Sequence, residues 1–392
     1  MSEVVLNDIC ELIVDCPHST AYDEGTGYPL VRTPNIGRGR LIYSGMHRVC
    51  EEVYNKRNAR AIPQTNDLIF AREATAGNVA LIQEGEKVCL GQRTVLIRPN
   101  ANLVNPAFLT YHLLAPEQQY KLLSTANGAT VAHVNMPTIR NLKLSLPPLA
   151  TQYRIASILS RYDSLIENYQ KQIKLLEEAA QRLYKEWFVD FHFPGHETTK
   201  IVDGVPEGWE KKPISQLGEY LNGFAFKPSD WQKSGKPIIK IKEMGNGVSN
   251  DTPRNNGERV PAKYLVKAGD LLFSWSATLM VIVWSGEEGW LNQHLFKVTP
   301  SKGIEREFLL QSISNTIEEF QNLTTGSTMK HIQRNKLDQV FVNVPNDEIM
   351  KRYSSIAEKE RTEILHLSSQ IRLLSEARDR LLPKLMGGEI KF

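Results

Sequence analysis

The sequence repeats itself at about half its own length, and this constrains the fold more than any single motif does. Residues 124–134 read Ser-Thr-Ala-Asn-Gly-Ala-Thr-Val-Ala-His-Val, followed at Leu142 by Leu-Lys-Leu-Ser-Leu-Pro-Pro. Residues 323–332 read Leu-Thr-Thr-Gly-Ser-Thr-Met-Lys-His-Ile, followed at Val340 by Val-Phe-Val-Asn-Val-Pro. Gly128 aligns with Gly326, Thr130 with Thr328, His133 with His331 and Pro147 with Pro345, always 198 positions apart (326 less 128). The same offset carries Gln172-Ile-Lys-Leu-Leu onto Gln370-Ile-Arg-Leu-Leu, and Ala179, Arg182 and Leu183 onto Ala377, Arg380 and Leu381. Upstream, Asn66-Asp-Leu-Ile-Phe resembles Gly269-Asp-Leu-Leu-Phe, with an offset that drifts by a few residues, as loop insertions make it do.

Each repeat has two parts. The first is broken by Gly, Pro and Asn and holds short β-branched runs, as in 80–82, 94–97, 237–241 and 280–284. These read as strands of a mixed α/β globule. The second part has no glycine until position 387, and no proline before Pro383. In the first copy the apolar residues are Ile155, Ile158, Tyr162, Leu165, Tyr169, Ile173, Leu176, Ala180, Leu183 and Trp187. In the second they are Tyr353, Ile356, Ile364, Leu367, Ile371, Leu374, Ala377, Leu381 and Leu385. Steps of three and four residues predict a helical seam. At 1.5 Å per residue each helix is a rod of about 55 Å, too long for one globule to cover. The other repeat offers a stripe of matching length. A pseudo-twofold relation would pack the two helices antiparallel as a coiled coil, with the globules at opposite ends. The expected organisation is a globule over 1–150, a long helix over 151–190, a connector over 191–205, a second globule over 206–347, and a second helix with its tail over 348–392.

Catalytic machinery is hard to find. There is no GxxxxGK[ST] loop, no dinucleotide-binding glycine fingerprint, no Asp/Asn-Pro-Pro-aromatic tetrapeptide of the kind an amino-methyltransferase uses to hold a flipped base, and no Asp…Glu-x-Lys nuclease pattern. Asp190, His192 and His196 cluster in the connector, where Pro194-Gly195 breaks any helical ligand spacing. Cys10, Cys16, Cys50 and Cys89 form no CxxC pair, which argues against zinc and for a reducing, cytoplasmic compartment. The first residues have neither the basic nor the apolar region of a secretory signal, and no membrane span is expected. A net charge of +3 on 392 residues neither demands nor excludes a polyanionic partner.

What remains is polar loop chemistry. The first globule offers Arg32, Asn35, Arg38, Arg40 and Arg72, with Thr130, His133 and Asn135 in the repeated loop. The second offers Lys240, Lys242, Arg254 and Asn255, with Thr328, Lys330, His331, Gln333 and Arg334. These side-chain types pair with base edges or grip phosphates, and they also populate any solvated surface.

The chain resembles the specificity subunit of type I restriction-modification enzymes along its whole length. Pro147-Pro-Leu-x-x-Gln152-x-x-Ile155 is similar to the family's lead into its first conserved helix. Leu176-Glu-Glu-Ala-Ala-Gln-Arg-Leu-Tyr-Lys-Glu-Trp-Phe188, Asp190-Phe and Phe193-Pro-Gly resemble the end of that helix and its connector. Pro206-Glu-Gly-Trp209 resembles the start of a second target-recognition domain, and Leu381-Leu-Pro-Lys-Leu-Met-Gly-Gly-Glu-Ile390 the family's ending. Three positions depart from the pattern: Thr151, and Asn346 and Met350 in the second copy.

The resemblance implies two target-recognition domains that each read one half-site of double-stranded DNA, with an unread spacer between the half-sites. It implies helices that dock two methylation subunits carrying S-adenosylmethionine. It also implies restriction subunits carrying ATP and Mg, and no cofactor or chemical step in this chain. A specificity subunit of a combined, type IIB-like restriction-methylation enzyme has the same sequence signature. On the residues alone, an enzyme with a cryptic site and a coiled-coil adaptor that binds only proteins remain as alternatives.

Overall fold

The structure is a computed structural model that describes residues 2–124, 133–323 and 334–390. The chain divides into two compact units, one made of Met1–Glu167 with Leu373–Phe392 and the other of Asn168–Arg372.

In the first unit, strand Ser2–Val5 pairs antiparallel with Lys143–Leu146 and closes the globule on itself. Inside lies a four-stranded antiparallel sheet in the order Cys10–Asp15, Thr94–Pro99, Leu68–Ala71, Val79–Leu81. A three-stranded sheet, His47–Val49, Tyr28–Val31, Cys89–Leu90, sits beside it. Leu68–Ala71 is an unbroken apolar run because both its faces are covered, whereas Lys143–Leu146 alternates exposed and buried residues because one face meets water.

The second unit repeats this plan. Glu210–Pro213 pairs with Phe341–Val344. One sheet runs Gly218–Asn222, Leu295–Pro300, Leu271–Ser274, Met280–Val283, and the other Arg254–Asn255, Lys236–Ile239, Gly289–Leu291, Leu265–Val266. Matching strands start 208 residues apart at 28 and 236, 203 at 68 and 271, 201 at 94 and 295, and 198 at 143 and 341. The loss of ten positions (208 less 198) falls between matched strands; the larger sheet keeps its four-stranded order, and the smaller one gains a strand, Leu265–Val266, in the second unit.

Two long helices, Leu149–Tyr184 and Asp347–Met386, follow the two globules in the chain. Pro147-Pro148 ends the strand before the first. At the second, Asn346 accepts a hydrogen bond from the Ile349 N–H through its side-chain oxygen and caps the helix. The two departures in the second copy are thus accommodated differently. Asn346 serves as a cap, and Met350 takes an apolar place where Gln152 spans Asn105 and Pro147 by hydrogen bonds.

The buried stripe of each helix differs from the purely apolar seam. In its first half the first helix buries Gln152, Ile155, Ala156, Leu159, Asp163 and Ile166, and the second buries their counterparts 198 positions on, Met350, Tyr353, Ser354, Ala357, Arg361 and Ile364, together with Ile349 and Leu367. Leu165 and Ile356, expected in the seam, are exposed. The reason is that this face packs on a globule and carries polar groups with dedicated partners, which an apolar count passes over.

In each unit, segments of the two helices run antiparallel. In the first unit, Ile155, Ala156 and Leu159 share a core with Leu382 and Leu385. There the buried Asp163 accepts from Tyr111 Oη on one oxygen and from Arg378 at 2.6 Å on the other. In the second unit, Tyr184, Trp187 and Phe188 join Phe308, Met350 and Tyr353. There Arg361 donates to the buried Glu307 at 2.9 Å. Asp163 and Arg361 stand at the same repeat position with opposite charge. Gly39, at φ +105°, brings its loop so close to the first helix that a Cβ would lie 3.2 Å from Asp163 Oδ2.

Two outcomes follow from these interiors. Arg378→Ala leaves the Asp163 carboxylate buried without its cation, and the urea midpoint should fall by the equivalent of about 3 kcal/mol. Adding Asp163→Ala to that variant should cost much less than Asp163→Ala does in the parent. The second outcome concerns His112, which is buried with neither ring nitrogen hydrogen-bonded, so that burial pushes its pKa down from 6.5 to about 4. Below pH 6.5 the unfolded chain therefore takes up a proton that the folded chain refuses until about pH 4, and stability drops through that window. His112→Leu should remove up to about 3 kcal/mol of this acid lability, read as a smaller shift of the urea midpoint between pH 7 and pH 4.5.

Candidate nucleic-acid interface

The most regular polar feature of the two globules is an arginine clamp that the repeat copies. In the first unit Pro29 faces Arg48 across the strand pair, and in the second Pro237 faces Arg254. Arg48 donates to the Gly27 carbonyl at 2.8 Å and Arg254 to the Gly235 carbonyl at 2.9 Å. Both glycines adopt positive φ, which lets the turn present its carbonyl to the guanidinium. The Glu24 and Gln232 N–H groups donate to the Arg48 and Arg254 carbonyls. Sequence reasoning found Arg254 and missed Arg48. Its signal was the paired Gly-x-Pro in Gly27-Tyr-Pro29 and Gly235-Lys-Pro237, 208 residues apart.

The turn after each of these central strands is also shared. Asn35 accepts from the Arg32 N–H and Glu243 from the Lys240 N–H, and both braces are buried. Asn35 also donates to the Ile42 carbonyl, so its amide is consumed inside the loop. What the turns present outward differs. Arg32 donates to the Gly45 carbonyl. Lys240 Nζ sits 4.5 Å above the Trp231 ring, an ammonium stacked on an exposed indole. Exposed Gln232, Lys233, Lys242 and Asn256 surround this pair. Gln232 accepts from the Asn256 N–H, and Asn255 is buried, donating to the Asp230 carbonyl and accepting from the Gly257 N–H. Asn255 therefore holds the loop that presents its neighbours. Trp231 was not legible as a site residue, because a lone tryptophan between Asp230 and Gln232 reads as core.

A second polar cluster is formed in the first unit. Arg72 donates to Asp15 at 2.8 Å, to the Val134 carbonyl at 2.9 Å and to His133 Nε2 at 2.9 Å. Because the guanidinium can only donate, His133 Nε2 accepts, and the ring proton sits on Nδ1 and faces Glu73. Desolvation, with Arg72 and Arg93 nearby, lowers the His133 pKa and favours this neutral form. Arg93 also pairs with Glu73, and His18 with Asp15. At the matching positions the second unit has Trp275 for Arg72 (offset 203) and His294 for Arg93 (offset 201), with ring centroids 5.8 Å apart. Where one globule sets Arg72 and Arg93 among carboxylates, the other sets a tilted aromatic pair, Trp275 and His294.

The remaining residues separate. Arg38 donates to the Leu114 carbonyl, and Arg40 pairs with Glu167 at 3.2 Å, so both face the long-helix side of the first globule. Asn135 is the first residue before a short helix, Met136–Arg140, and Arg334 is exposed at the start of another, Arg334–Asp338. Thr130, Thr328, Lys330, His331 and Gln333 lie outside the described residues. Among the described residues, no group of three His, Cys, Asp or Glu is placed to hold a metal ion. No helix there is long and apolar enough to cross a membrane.

Comparison with known proteins agrees with this duplicated geometry. The family described as type I restriction modification DNA specificity domain matches residues 1–178 and again 206–371. The MjaIX type I restriction enzyme specificity subunit of Methanocaldococcus jannaschii is 23% identical over 98% of this chain and 92% of its own length. The HindI specificity subunit of Haemophilus influenzae is 26% identical over 76% of this chain and 80% of its own. The crystal structure of a type I restriction-modification S subunit from M. genitalium shares the fold, with a TM-score of 0.54 at 14% identity over 98% of this chain and 95% of that one. With both of its halves matched, the chain belongs to the type I restriction-modification DNA specificity family.

Proposed function

We propose that this chain is the DNA-recognition subunit of a type I restriction-modification complex, reading a bipartite duplex target with one half-site per globule. Residues 1–150 and 206–347 are the two target-recognition domains in this reading. The observation that carries it is one scaffold with two surfaces: the same clamp and braced turn are built twice, and the outward groups at equivalent positions differ in kind. A duplicated reader of two unlike half-sites requires that combination, since phosphate contacts fix register while base contacts specify. The long helices set the spacing between half-sites and dock two methylation subunits. Leu175 and Leu373, exposed at the same repeat position, are the apolar contacts offered for that docking. S-adenosylmethionine belongs to the methylation subunits, and ATP and Mg to the restriction subunits. This chain supplies the address and no chemical step.

Exchanging residues 1–150 for the matching globule of a relative should alter one half-site of the methylated sequence and leave the other unchanged. Methylation mapping that shows both halves altered would count against independent reading. Within the second globule, Lys242→Ala should lower the salt slope of DNA binding by the assembled complex by about 1 without changing sequence preference. Trp231→Ala should reduce discrimination in one half-site by about 1–3 kcal/mol. Arg40→Ala, which breaks a pair with the helix, should leave the salt slope unchanged. Unaltered affinity and preference in both the Lys242 and Trp231 variants would mark this patch as ordinary solvated surface.

A further inference from the structure

Each unit completes its core with a helix end from the other repeat. The second unit takes in Tyr184, Trp187 and Phe188, which belong to the first repeat. Phe188 lies edge-on to Phe308 and to Tyr353, with centroids 4.9 Å apart in each case, and Tyr184 Oη bonds Ser312 Oγ at 3.0 Å. The first unit takes in Leu382 and Leu385, with Met386 packed against them, from the second repeat. These two plugs occupy one repeat position, since 184, 187 and 188 are 198 short of 382, 385 and 386. One plug is wholly aromatic and the other wholly aliphatic.

The sockets differ to match. Helices Pro106–Leu114 and Arg306–Asn315 align with Phe108 on Phe308, which sets His112 where the other has Ser312. His112 is buried and stacked on Phe108, so the first socket is filled by a ring where the second leaves room for the Tyr184 phenol. Opposite the plugs, the first socket has Ile155 and Asp163 where the second has Tyr353 and Arg361. The cation that satisfies Asp163 is Arg378, and the position matching Arg378 in the first repeat is Ala180.

We infer that these plug-and-socket pairs are mutually exclusive, so that the surface joining the two halves of this chain accepts only the complementary half and rejects a second copy of the same half. Two first halves would drive the Tyr184 phenol, which lies on Ser312 in the native pairing, against His112 and leave Asp163 buried opposite Ala180, combining overpacking with an unpaired charge. Two second halves would leave a cavity under Phe308 and Tyr353 and, by the same register, bring Arg378 toward Arg361. Each mismatch is independent of the others, and none arises in the native pairing.

The test keeps the whole chain. A protease site is inserted between Glu197 and Thr198, in an exposed turn beyond the buried Phe193, and cut in the folded protein. The nicked protein is then unfolded in urea, refolded by dilution and weighed by native mass spectrometry. The heterotypic pair should outnumber the two homotypic pairs together by at least about tenfold. Statistical pairing, or aggregate in place of the heterotypic pair, overturns the inference. In a second nicked protein, Tyr184→Leu with Trp187→Leu and Phe188→Met gives the first half the aliphatic plug of the second, and homotypic first-half pairs should rise at least about threefold relative to the parent. An unchanged distribution there overturns the plug as the source of selectivity.

Discussion

Much of this structure depends on a carboxylate kept out of water. Asp163 lies in the interior of the first unit because Tyr111 and Arg378 supply its two oxygens with donors from two other helices. Removing any one partner strands the others, so the globule, its own helix and the incoming helix end hold together or fail together. The second unit uses the same logic with reversed sign. Arg361 is anchored on Glu307 of the globule, and Arg306 of the same globule helix reaches Glu358. Buried pairs of this kind add little net stability over an apolar core. They make wrong alignments expensive, which matters in helices whose apolar residues alone would allow sliding by a turn.

The fold was legible in the sequence wherever periodicity or duplication carried it. The strands at 80–82, 94–97, 237–241 and 280–284 coincide with Val79–Leu81, Thr94–Pro99, Lys236–Ile239 and Met280–Val283 to within one or two residues. Both long helices appeared as glycine-free stretches at the right places. The facing of those helices was not legible, because Gln152, Asp163 and Arg361 are polar residues on a buried face, and only their partners in space make that face tolerable.

The surface was harder to read. Asn35 and Asn255 have the composition of base-reading residues, yet both are braces whose amides bond backbone carbonyls, Asn35 that of Ile42 in its own loop and Asn255 that of Asp230 in a neighbouring turn. Arg48 looked unremarkable until the strand register set it opposite Pro29, where Arg254 sits opposite Pro237. Residue type indicates what a side chain can bond, whereas the choice between backbone brace and outward contact is made by a turn geometry that single-sequence reasoning does not resolve.

The distribution of length changes between the repeats has an evolutionary consequence. All ten residues of drift accumulate between strands of the globules, and none falls between Lys143 and the end of the first helix relative to its copy. A globule loop can lengthen alone because both its ends return to the same globule. A helix cannot, because its far end must arrive in a socket built by the other repeat, at a position fixed by the other helix. Heritable length change in the rods is therefore confined to paired events, one in each repeat, while the loops that face outward are free to diverge one mutation at a time. The molecule can change what its globules present far faster than it can change the length of its helices.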